Sequence, residues 1–86
     1  MLTIDISQEV AERALMGIAA HVPPPVDIGR PVVALQDGLA IVVITAAATW
    51  WLVPGAAERV VALQHGRSEV TRWCDGVELS RVISGR

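Results

Sequence analysis

His21, His65 and Cys74 are the residues with which this chain could hold a metal ion or attack an electrophile, and Asp75 could join them. A structural zinc site recruits thiolate and imidazole ligands at short, recognisable spacings. Here the candidates are scattered from residue 21 to residue 75, and no pair has such a spacing. Both histidines fall near the expected C-terminal ends of helices, where an imidazolium interacts favourably with the helix dipole. A nucleophilic thiol needs positive charge beside it, and only Arg72 lies close to Cys74 in sequence. A small enzyme using Cys74 with His21 or His65 is therefore the least favoured reading. The serines lack a nucleophile-elbow context, and no glycine-rich phosphate loop is present. The sequence assigns no catalytic residue, no metal ligand and no cofactor.

The tryptophans carry a different chemistry. Trp50 and Trp51 are adjacent, so on a strand their rings point to opposite sides and one of them is left partly exposed. Exposed tryptophan is typical of binding hot spots. Trp73, Arg72 and Arg81 fall on a second candidate surface, a hairpin that follows Arg67. Glu69 and Glu78 interleave with those arginines, which favours a mixed surface over a basic patch. The residues expected to meet a protein partner are Trp50, Trp51, Arg72, Trp73 and Arg81.

The elements that position them follow from periodicity and turn chemistry. Residues 2–6 alternate apolar and polar as a half-buried strand, and Ser7 can cap a helix running to Val22. Its apolar stripe is Ala11, Leu15, Ile18, Ala19 and Val22, and Gly17 marks a close crossing. Three consecutive prolines at 23–25 end it. Asp37-Gly38 and Asp75-Gly76, each between β-branched segments, are hairpin signals. The second predicts Cys74 opposite Val77, Trp73 opposite Glu78, Arg72 opposite Leu79 and Thr71 opposite Ser80. Pro54 suits the first turn of a second helix over residues 55–65, closed by Gly66. Ala-Glu-Arg occurs in both expected helices, at 11–13 and 57–59, which raises the idea of a duplication. The expectation is one α+β domain over residues 1–86, a mostly antiparallel sheet of five strands with two helices in the order β-α-β-β-α-β-β. Its first four strands and two helices suit a ferredoxin-like order, with the last strand at an edge.

Residues 38–57 carry no charge, and this run admits a competing reading as a membrane span. As a helix, residues 39–53 would cover about 22 Å, short of the roughly 30 Å hydrocarbon core. The Asp-Gly turn explains residues that a span treats as accidents, so residues 39–44 read better as a central strand. A single-pass membrane protein remains the alternative architecture.

Composition narrows the function classes. Net charge is -2 and every basic residue is Arg, so general attraction for phosphate backbones is disfavoured and nucleic acid with it. One cysteine excludes an internal disulfide and, with no signal-peptide pattern at residues 1–6, suggests the cytoplasm. A core built almost wholly of aliphatics in a chain of 86 residues gains from oligomerisation. The leading expectation is a non-enzymatic protein-binding or assembly module, self-associating or bound to a partner protein. Its size suits an accessory protein of a phage or mobile element.

Overall fold

The computed structural model describes residues 8–85. The expected strand at 2–6 and its Ser7 cap lie outside the described residues. The rest is an α+β domain: helix α1 (Gln8–His21) against one antiparallel six-stranded sheet. The strands are β1 (Pro31–Asp37), β2 (Ala40–Thr45), β3 (Thr49–Val53), β4 (Ala56–Ala62), β5 (Ser68–Cys74) and β6 (Val77–Ser84). Each pairs with the next in chain order, so the sheet is a meander with β1 and β6 at its edges. This corrects the ferredoxin-like expectation, which requires a second helix crossing between strands. It also corrects the strand number, since the described residues alone hold six strands where five were expected for the chain.

The missing helix is β4. Pro54 and Gly55 sit between Val53 and Ala56, which are paired, and Gly55 has φ +81. That is the pattern of a type II turn, with proline at the first central position and glycine at the second. The turn returns the chain antiparallel to β3 before any helical turn can form. The adjacent β-branched Val60 and Val61 then fit a pleated strand with neighbours on both sides. Ala-Glu-Arg consequently occupies a helix at 11–13 and a strand at 57–59, so the two stretches are not structural counterparts. His65 is at no α-helix C-terminus; it lies within a single 3-10 turn, Gln64–Gly66, where its own backbone is not helical. It lies in the β4–β5 connection with φ 63, followed by Gly66 at φ 71.

Residues 39–53 form no helix, which corrects the single-span reading. They contribute β2, a tight loop and β3, and β2 pairs with β3. The loop is held by Thr45, whose amide donates to the Ala48 carbonyl at 2.9 Å. Its Oγ1 accepts from the Ala47 and Ala48 amides at 3.3 and 3.1 Å. Among the described residues no helix is long and apolar enough to cross a membrane. The first hairpin also turns one residue later than its Asp-Gly pair suggests. Asp37 pairs with Ala40, leaving Gly38 (φ 61) and Leu39 as the central residues, the glycine-first pattern of a type II′ turn. Leu39 is therefore 86% exposed at the tip rather than part of the core.

Alternation along the strands gives the sheet two distinct faces. One carries Val43, Trp50, Ala57 and Trp73, and α1 packs on it through Ala14, Ile18 and Val22. Ala11 and Leu15 support the same contact, whereas Ala19 is exposed. A Cβ on Gly17 would lie 2.6 Å from Leu52 Cδ2, so the helix does cross close over β3 there. The segment after the prolines contributes Val26 and Ile28 to the same core.

Candidate functional site

Trp50 and Trp51 part company as the alternation of a strand requires. Trp50 is fully buried under the helix, and its Nε1–H donates to the Ile28 carbonyl at 3.1 Å. Its ring stacks on Trp73, 2% exposed, with centroids 5.5 Å apart and planes inclined by 27°. The Arg59 guanidinium lies 5.7 Å from the Trp50 ring and 5.1 Å from the Trp73 ring. Register explains the trio: Arg59 pairs with Trp50 across β3–β4 and with Thr71 across β4–β5, and Trp73 lies two residues beyond Thr71. Such a cation over two rings stabilises the core. Trp50 and Trp73 are thus interior residues, and neither ring presents a surface to a partner.

Trp51 is on the other face. A cross-sheet row runs Leu35, Val42, Trp51, Glu58, Arg72 and Ser80, read pair by pair along the register. The neighbouring row is Val33, Ile44, Thr49, Val60, Val70 and Val82. No described element crosses this face, since α1 and the segment after it pack on the opposite one. Val42 is nevertheless buried, while Trp51 beside it is half-buried. In the middle of the apolar surface, Arg72 Nε lies 3.0 Å from Glu58 Oε2, its direct cross-strand partner.

Arg81 lies elsewhere. The β5–β6 pairing follows expectation at Cys74 with Val77 and Trp73 with Glu78, then shifts, so that Arg72 meets Ser80 and Thr71 meets Arg81. Leu79 is the extra residue of a β-bulge. The bulge restores Glu78 and Arg81 to one face although they are three apart. There the two side chains form a double contact, Nη2 to Oε1 at 2.8 Å and Nε to Oε2 at 3.2 Å. The Arg81 hydrogen bonds hold the Glu78 carboxyl below its ordinary pKa, and Glu78 raises Arg81 in return. Arg72 and Arg81 consequently occupy opposite faces, each with its own glutamate. The expected shared arginine surface does not form.

β6 is exposed along its whole length, including Val77, Leu79, Val82 and Ile83. Among the described residues its outer edge has no strand neighbour. The alternation of Val77, Leu79 and Ile83 with polar residues gave no sign in sequence that both sides of this strand stay uncovered.

The residues set aside as scattered do meet. His21 ends α1, and the β5–β6 turn folds onto it: the Gly76 amide donates to the His21 carbonyl at 2.8 Å. The Asp75 amide donates to His21 Nδ1 at 3.0 Å. One ligand-type atom from each of His21, Cys74 and Asp75 falls within 4.8 Å of the others. His65 takes no part in this cluster.

Comparison with known proteins gives a single direction. No protein-family model and no solved structure matches the chain. It is similar to the movement protein TGB2 of Plantago asiatica mosaic potexvirus, with 33% identity over 63 residues. Those residues are 73% of this chain and 54% of that protein, so the chain spans about half the length of the curated relative it matches.

Proposed function

We propose that this chain is a non-enzymatic assembly module of a viral accessory protein, which associates with itself or with a partner protein through the helix-free face of its sheet. One observation carries the reading: α1 covers one face of the sheet, while the row centred on Trp51 and the valine-rich row beside it have no covering element among the described residues. Apolar sheet surface is costly to leave in water, and a flat aromatic at its centre is the usual anchor of an interface. The exposed β6 edge offers a second means of contact, by addition of a strand. The likeness to a viral movement protein supports the viral setting. Net charge of -2 and the pairing of Arg72 and Arg81 with glutamates weigh against a nucleic-acid partner.

Size-exclusion chromatography with light scattering tests the reading. The expected result is a dimer or larger assembly of the wild type that Trp51→Ala returns to monomer with its circular dichroism unchanged. If the wild type stays monomeric at high concentration, and immobilised wild type and Trp51→Ala retain the same proteins from the host extract, the reading fails.

A further inference from the structure

From the meeting of His21, Cys74 and Asp75 we infer a binding site for a thiophilic divalent cation, zinc being the natural occupant. It lies where the C-terminus of α1 docks on the β5–β6 turn. The three residues supply imidazole nitrogen, thiolate sulfur and carboxylate oxygen, all accepted zinc ligands. Zinc in tetrahedral geometry, with bonds of about 2.0–2.3 Å, places its ligand atoms roughly 3.3–3.8 Å apart. His21 Nδ1 and Asp75 Oδ1 are already 3.7 Å apart, and the full set lies within 4.8 Å. The Asp75 side chain is 86% exposed, which leaves it room to adjust to an ion.

The site is built by backbone as well as side chains. The Gly76 amide on the His21 carbonyl fixes the turn to the helix end, so Cys74 and Asp75 are delivered together to the imidazole. Asp75 has φ 49 and Gly76 φ 81, a type I′ turn that presents the two residues in a fixed relation. Nδ1 accepts the Asp75 amide proton, which places the ring's own proton on Nε2 and leaves Nδ1 as the donor atom for a metal. A bound ion takes the Nδ1 lone pair that now accepts the Asp75 amide proton, so the Asp75 peptide turns away from the ring while the Gly76 amide keeps the turn on the His21 carbonyl. The thiol proton passes to solvent as Cys74 coordinates, and water completes the coordination on the exposed side. The single hydrogen bond given up is small beside the gain from coordination.

The bland alternative is that His21 serves only to cap the turn. Titration of the full chain with Co(II), then Zn(II), under a non-thiol reductant separates the two. The expected result is one Co(II) per chain with a thiolate-to-metal charge-transfer band, displaced by Zn(II), and a thermal midpoint that rises with Zn(II). Cys74→Ser removes the band, and Asp75→Asn, which keeps the turn conformation, weakens Zn(II) affinity about tenfold or more. His21→Gln abolishes the Zn(II)-dependent rise in midpoint. The inference is overturned if Co(II) gives no thiolate band. It is equally overturned if Cys74→Ser binds Zn(II) as the wild type does, or if Zn(II) leaves the wild-type midpoint unchanged. Oligomeric state is not a readout of this experiment, so its failure leaves the assembly reading standing.

Discussion

At the scale of single residues, the helix-facing core has an unsatisfied polar centre. Thr71 is fully buried, and among the described residues neither its Oγ1 nor the Nε of its cross-strand neighbour Arg59 finds a hydrogen-bond partner. Arg59 is held instead by the two tryptophan rings, which offer a cation their electron-rich faces but cannot accept a directed bond as an oxygen does. A buried hydroxyl without a partner costs roughly 1–3 kcal/mol, so a methyl of the same shape relieves the cost. Thr71→Val is expected to raise stability by about 1 kcal/mol in urea denaturation, since valine also suits a central strand. A loss of stability would instead show that a trapped water bridges Thr71 and Arg59. The same reasoning sorts the tryptophans: Trp50 and Trp73 hold the interior, and only Trp51 is placed to act outside it.

Among the elements, β4 decides the architecture, and its sequence supports two periods at once. Ala57, Arg59 and Val61 alternate with Ala56, Glu58 and Val60, while Ala56, Ala57, Val60 and Leu63 also make a helical stripe. A segment this short cannot separate the two, so the turn before it decides. Gly55 gives a test with opposite signs for the two structures. In the type II turn its φ of +81 penalises any Cβ, so Gly55→Ala should destabilise by about 1 kcal/mol. At a helix start the same change would be neutral or stabilising by up to about 1 kcal/mol; denaturant midpoints of the two proteins give the sign. Local chemistry elsewhere was legible. The proline run ends α1, Gly17 lies at the tight crossing, and Asp75-Gly76 sets Cys74 opposite Val77. The bulge at Leu79 was not, because nothing in Val-Glu-Leu-Ser distinguishes a bulged strand from a regular one. The His21–Cys74–Asp75 cluster was hidden for a different reason. It depends on where the helix end docks, a long-range fact that ligand spacing does not carry.

The described residues form an asymmetric pair of layers, a helix on one side of a six-stranded sheet and, among those residues, an apolar face with no covering element on the other. A second copy could supply the missing layer by packing sheet on sheet, which suits two valine-rich faces and sets them about 10 Å apart. With a net charge of only -2, long-range repulsion is a weak barrier to that approach. Association by this face and association by the β6 edge leave different marks. The edge would protect β6 amides from exchange without touching Trp51, whereas the face would bury Trp51 and leave the outer β6 amides open. Tryptophan fluorescence reads the first difference directly, because Trp50 and Trp73 are already shielded and Trp51 is the ring within reach of a quencher. Acrylamide quenching of the wild type should therefore fall as protein concentration rises. In Trp51→Phe the remaining emission should be weakly quenched at every concentration. Quenching that stays constant while β6 amides gain protection would move the interface from the open face to the sheet edge.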